Sequence, residues 1–246
     1  MPYKLNPFTG QLDFYEDASA TTDASDLISG TLANARLSAD VLLDATLKGG
    51  AVSTASRLGV ISNFASPNAG GYVVNLFYDN AFAGTTASTA AMAANRTDLA
   101  PFYTNTRLTI DQIGISVSTN VAASLAKIVI YSTSSGGWPD VLLFEGTDLD
   151  CATTGYKFTD PAFTFESGVQ YWIGVRSSST QTIRTINTSS ARNLGISGSN
   201  NTTYFTVLRR TITYANAAPD PWVFASGELT AGATPPSIRF RVSAVG

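Results

Sequence analysis

The stretch Leu108–Arg176, LTIDQIGISVSTNVAASLAKIVIYSTSSGGWPDVLLFEGTDLDCATTGYKFTDPAFTFESGVQYWIGVR, breaks into short apolar runs separated by turn signals. Ile113, Ile115 and Val117 alternate with Gly114 and Ser116. Ala126 to Tyr131 is a nearly all-apolar, β-branched run. Val141 to Phe144 follows the turn cluster Ser135-Gly136-Gly137-Trp138-Pro139-Asp140. Phe163, Phe165, Val169, Tyr171, Ile173 and Val175 share one parity across Ser167-Gly168. Period-two alternation bounded by Gly, Pro, Asn and Asp predicts β-strands, and several such runs at regular spacing predict a sandwich or barrel. The stretch is therefore the centre of a mainly-β, jelly-roll-like antiparallel β-sandwich, assigned to residues 70–246 as a head domain.

Working outward, Tyr72–Tyr78 (YVVNLFY) reads as the first strand of the head. Ala81–Ala100 is small and polar, which predicts a long surface loop or a short helix. Strands are expected at about 107–118, 126–131, 141–145, 156–165 and 169–176. Thr180–Asn201 is a Ser/Thr/Asn-rich loop with one strand near Ile183. Tyr204, Thr206, Leu208, Arg210, Ile212 and Tyr214 share one face of the next strand. The closing strand is the clearest: Ile238, Phe240 and Val242 face inward, Arg239, Arg241 and Ser243 outward. Pro235-Pro236 confines the chain before it to an extended approach.

Ahead of the head, residues 1–17 are dense in aromatics and carry a turn signal at Asn6-Pro7-Phe8-Thr9-Gly10. An apolar segment set apart by the polar stretch Ala18–Asp26 predicts a docking peptide over residues 1–26, with Tyr3, Leu5, Phe8, Leu12, Phe14 and Tyr15 as its contacts. The alternative is a strand that packs back on its own domain. Residues 27–69 then form an oligomerisation stalk and connector. From Leu37 to Leu47 every odd position is apolar, so Leu37, Val41, Leu43 and Leu47 lie on one side of an extended segment. Helical spacing through Ile28, Leu32, Ala35, Ala39 and Leu42 stays open as an alternative. A lone half-apolar segment must bury its face, and association with copies of itself about an axis is the simplest solution. Leu32, Leu37, Val41, Leu43 and Leu47 are the candidate oligomerisation residues, and a homotrimer is the expected state.

Composition removes whole classes of chemistry. Across 246 residues only 13% are charged, 44% are hydrophobic, and the net charge is −3. The 15 Lys and Arg are scattered, so the concentrated basic face that nucleic-acid binding needs is missing from the sequence. No apolar run approaches the roughly eighteen residues that span a bilayer, and the N-terminus lacks a signal-peptide apolar core. There is no histidine, which excludes Ser-His-Asp and Cys-His triads and His-ligated zinc. The single cysteine, Cys151, has no basic sequence neighbour and reads as an inert thiol. No metal or cofactor is expected.

Certain segments resemble a known group of proteins. NPFTGQLD resembles a short segment at the start of many tailed-bacteriophage structural proteins. Ile28-Ser-Gly-Thr-Leu-Ala-Asn-Ala-Arg-Leu37 resembles segments of phage tail fibres, which trimerise in elongated stalks. Met92-Ala-Ala-Asn-Arg96, Ala100-Pro-Phe-Tyr103, Ile110-Asp-Gln-Ile-Gly-Ile115, Ile130-Tyr131, Gly137-Trp-Pro139, Gly155, Gly168-Val-Gln-Tyr-Trp172 and Pro236-Ser-Ile-Arg-Phe-Arg-Val242 look like a β-sandwich head of phage fibre and virion-surface proteins. The order of docking peptide, stalk and sandwich carries more than any one motif. The resemblance implies a structural virion protein without enzymatic activity, assembled in the host cytoplasm. It would be a short trimeric fibre or spike that docks on other virion proteins and presents its head to a host-surface glycan. The runner-up is a capsid decoration or tail/baseplate protein that touches only other virion proteins.

A third reading is a carboxylate-dependent polysaccharide depolymerase, because paired carboxylates are the only enzymatic chemistry left. Glu145, Asp148 and Asp150 instead read as a solvated hairpin loop, and no internal repeat of a long β-helix is visible. Aromatics are the stronger lead, since rings stack on the apolar faces of sugars and also fasten protein interfaces. Trp138 lies at the tip of a Gly-Gly-Trp-Pro turn and Trp222 in a late loop. Trp172 has the opposite parity to Tyr171 and Ile173, which suits a buried or subunit-interface residue as well as a contact. These three are the candidate glycan or partner contacts.

Overall fold

A computed structural model describes residues 3–5, 12–14, 71–80, 87–187, 194, 196–197 and 204–246. The chain divides into two compact units, residues 1–58 and 59–246. In the first, β1 (Tyr3–Leu5) and β2 (Leu12–Phe14) pair antiparallel, Tyr3 opposite Phe14 and Leu5 opposite Leu12. The turn signal falls between them in sequence. The stalk residues Leu32, Leu37, Val41, Leu43 and Leu47 lie outside the described residues.

The second unit is a β-sandwich of two seven-stranded antiparallel sheets. The first runs in the order β3 (Phe77–Asp79), β16 (Ile238–Val245), β6 (Leu108–Thr119), β13 (Thr182–Ile186) and β4 (Ala87–Ala91). Two further strands, β10 (Gly155–Thr159) and β11 (Phe163–Phe165), also pair with β6. The second sheet runs β15 (Leu229–Ala231), β14 (Phe205–Thr211), β5 (Arg96–Tyr103), β12 (Gln170–Ser177), β7 (Leu125–Thr133) and β8 (Pro139–Glu145). Its last member, β9 (Leu149–Asp150), adds to β7. Among the described residues there is no α-helix, only one 3₁₀ turn at Ser226–Glu228.

The main core fills the space between the sheets. Ile113, Ile115 and Val117 of β6 meet Ile128 and Ile130 of β7, Ile173 and Val175 of β12, and Ile238, Phe240 and Val242 of β16. Phe102, Phe165 and Phe240 pack there edge-on or tilted, with centroids 4.9 to 6.1 Å apart. A second apolar cluster lies on the other face of the second sheet: Leu99, Val129, Tyr131, Trp172, Leu208, Ala218 and Trp222. Strands covered on both faces lose the alternation that a half-exposed strand shows. Ala126–Tyr131 is apolar at every position but Lys127 for that reason.

The sequence expectation fails at five places, one being that the strand expected to reach Tyr214 ends at Thr211. In Tyr72–Tyr78 only Phe77 and Tyr78 are strand, because Asn75 takes a left-handed φ of 67° and breaks the extended run. Ala81–Ala100 is not a loop or a short helix where it is described: β4 lies within it and β5 begins in it. Small and polar side chains hid β5, whose Asp98 is buried between Arg96 at 2.9 Å and Arg209 at 3.3 Å. The expected strand at 156–165 is two strands, interrupted around Ala162 with φ 44°. Glu145 is not a solvated loop residue but the end of β8, paired to a buried arginine.

Candidate functional site

The Gly-Gly-Trp turn joins β7 to β8. The Gly137 N–H donates to the Ser134 carbonyl at 2.9 Å, and the Ser134 N–H donates to the Trp138 carbonyl at 2.8 Å. The Ser134 hydroxyl accepts from the Trp138 N–H at 3.2 Å. Gly137 has φ 86°, a conformation that a β-carbon would strain, which is the reason for glycine here. Its carbonyl accepts two side-chain donors from β12, Trp172 Nε1 at 3.1 Å and Gln170 Nε2 at 3.3 Å. The turn is thereby pinned across the neighbouring strand.

Beside it opens a cleft of about 260 Å³ lined by Pro101, Gly136, Gly137, Trp138, Gln170, Trp172, Leu194 and Ile196. Pro101 explains its position. Proline cannot donate to a sheet ladder, and the pairing of β5 with β14 ends at Leu99 opposite Leu208. Beyond that point β14 turns to residues 194–196 instead, with Leu194 N–H to the Phe205 carbonyl at 2.8 Å and Phe205 N–H to the Ile196 carbonyl at 3.0 Å. The gap left beside Pro101 is the cleft.

Of the three tryptophans singled out in the sequence, Trp138 stands at this cleft, half-buried. Phe224 stacks on one face of its ring at 3.8 Å and 1°. The Trp172 ring is 6.2 Å away at 27°. Trp172 itself is 1% exposed and forms part of the floor, so it supports the site from below. Trp222 requires a correction. Its place in a Pro-rich loop suggests exposure, yet it is 2% exposed, because the loop folds back over the second sheet.

That loop, residues 212–228, is held by two arginines that sequence reading passed over. Arg176 donates to the carbonyls of Thr213, Tyr214 and Asn216 and pairs with Glu145, whose other oxygen accepts the Ala218 N–H at 3.2 Å. Arg210 pairs with Glu228, and its guanidinium lies 4.1 Å from the Trp222 ring centroid. Glu228 also accepts from Trp222 Nε1 at 2.9 Å. These contacts set Phe224 against Trp138. Neither arginine carries a signal in the sequence beyond its place in a strand.

Four of the six docking candidates are brought together in one strand pair, Tyr3 opposite Phe14 and Leu5 opposite Leu12. Tyr3, Leu5, Leu12 and Phe14 sit in the β1–β2 hairpin, while Phe8 and Tyr15 lie outside the described residues. Cys151 is buried, and burial pushes its thiol up to about 11, which suppresses the thiolate. Among the described residues no three of the His, Cys, Asp and Glu side chains gather closely enough to hold a metal ion. No described helix is long and apolar enough to cross a membrane. The chain matches no protein-family model and no curated protein.

Proposed function

We propose that this chain is a non-enzymatic attachment protein of a tailed-bacteriophage virion, a short trimeric fibre or spike. In this reading the N-terminal segment docks on the particle, residues 27–69 assemble the oligomer, and the sandwich holds a host-surface glycan at Trp138. The observation that carries it is the lining of the cleft: indole rings, two aliphatic side chains, a glutamine amide and glycine backbone, with no ionisable group. Apolar walls with a few fixed polar groups are the usual make-up of a small-molecule site. At about 260 Å³ the cleft falls just below the roughly 300–1,000 Å³ of drug-sized pockets, which suits one neutral sugar residue. Glycosidic hydrolysis needs two carboxyl groups across the bond, and the lining supplies none, so holding a sugar is favoured over cleaving it.

A glycan array probed with the full chain and with Trp138→Ala tests the reading. Binding of neutral glycans by the parent and its loss in the variant support it. No binding by the parent would discard glycan attachment and leave a purely structural place among other virion proteins.

A further inference from the structure

We infer that the pocket lined by Asp79, Ser116, Tyr156, Arg184, Ser237 and Arg239 binds a single carboxylate group of an acidic small ligand. It shares no residue with the Trp138 cleft and does not rest on the reading of that cleft. Its origin is a change of partner along β6. Ile115 is opposite Ile238 of β16, whereas Val117 is opposite Ile183 of β13. Ser116 stands at the change, and there the Ser237 N–H donates to the Arg184 carbonyl at 3.1 Å. Ile183 and Ile238 are buried in the core, so period-two alternation turns Arg184, Ser237 and Arg239 to the outer face of the first sheet.

The charges of this pocket do not balance. Asp79 is already satisfied: its carboxylate accepts from Arg239 Nε at 3.1 Å and Nη2 at 3.4 Å, and from the Ser237 hydroxyl at 3.4 Å. The Tyr156 hydroxyl donates to the Arg239 carbonyl at 2.9 Å. Among the described residues, neither the Arg184 guanidinium nor the Ser116 hydroxyl has a partner. Two arginines against one aspartate leave one surplus positive charge, and it belongs to Arg184.

Charge and size select the group that fits. A guanidinium presents its N–H groups as a planar fork that matches the two oxygens of a carboxylate. The single surplus charge equals that of one carboxylate, whereas a phosphate monoester carries about −1.5 to −2 at neutral pH. The pocket holds about 70 Å³, far below the roughly 300–1,000 Å³ of a site for a whole drug-sized molecule. It therefore admits one functional group, and the body of the ligand stays outside.

Titration of the full chain with glucuronate and with glucose, which differ by one carboxylate, tests this by ligand-observed NMR. Glucuronate should bind at least about tenfold more tightly than glucose, whatever glucose does at Trp138. Arg184→Gln should bring the two within about twofold of each other. Its thermal midpoint should match that of the parent, because the Arg184 side chain has no partner among the described residues. Arg107→Gln removes the same charge from an exposed pair with Glu166 and should leave the preference intact. Acetate should displace glucuronate more effectively than inorganic phosphate does. The carboxylate site is overturned if the parent shows no preference, if Arg184→Gln keeps it, if Arg107→Gln also abolishes it, or if phosphate displaces better than acetate.

Discussion

The Arg176 guanidinium, 1% exposed, is ion-paired through Nη1 to the Glu145 carboxylate, and its Nη2 donates to the backbone of a loop more than thirty residues further along. One strand residue therefore decides where residues 213–218 lie. Arg176→Met would leave Glu145 only Lys127 at 3.7 Å as a charge partner and strip three loop carbonyls of their donor, a loss of about 1–3 kcal/mol. Arg176→Met is expected to lower the urea midpoint accordingly. Glu145→Leu added to Arg176→Met should recover part of it. No recovery would mean that the carbonyl contacts, and not the ion pair, carry the cost.

Trp138 and Trp172 should separate in their effects. Trp172 is buried under the second apolar cluster, so Trp172→Ala should cost about 3–5 kcal/mol by opening a cavity. Trp138 is half-buried at the cleft, and Trp138→Ala should cost only about 1–2 kcal/mol, mostly its stack on Phe224. Thermal unfolding of the two variants checks the order. Equal losses would make Trp138 a core residue and remove it as the site.

The closing strand gives a parity test. Phe240 is 0% exposed between the sheets, and Phe240→Asp would bury an unpaired charge at a cost of several kcal/mol, close to the whole stability of a domain. Arg239 is exposed, and Arg239→Asp should change stability by no more than about 1 kcal/mol, the scale of a surface ion pair. Soluble expression and denaturant unfolding distinguish them.

Acid should act on two aspartates in opposite senses. Hydrogen bonds from Arg241 hold the Asp111 carboxyl below its ordinary value of 3.8. The folded state therefore binds its proton less readily than the unfolded chain. Asp111 contributes stability that is complete above 3.8 and is lost as pH falls through the lowered value. Burial pushes Asp98 up from 3.8, against the pull of Arg96 and Arg209. Its contribution declines as pH rises from 3.8 through the raised value. Melting curves between about pH 2 and pH 6 should show a shallower acid loss for Asp111→Asn. An unchanged acid limb would mean the Arg241 pair does not persist in solution.

Much of the head could be read along the chain. The alternation at Ile113, Ile115 and Val117 and at Ile238, Phe240 and Val242 matches the buried faces of β6 and β16. Those strands have one core face and one freer face, and period-two patterning reports that situation directly. The Gly-Gly-Trp turn was equally legible, because glycine and proline mark turns by their own backbone limits. Its tryptophan does stand at a cleft.

What the chain order alone could not decide is everything set by distant partners. Asp98, Thr97 and Pro101 make β5 look like a surface loop, and it becomes a central strand only because Arg209, from β14, arrives beside the aspartate. Trp222 looks exposed from its prolines, but Glu228 accepts its indole N–H and Arg210 covers its ring, so it is buried. Glu145 looks solvated until Arg176 is placed against it. In each case the deciding term is a charge or donor brought in by the fold, and the stability of a buried polar group depends on that partner rather than on the residue's own neighbours in sequence.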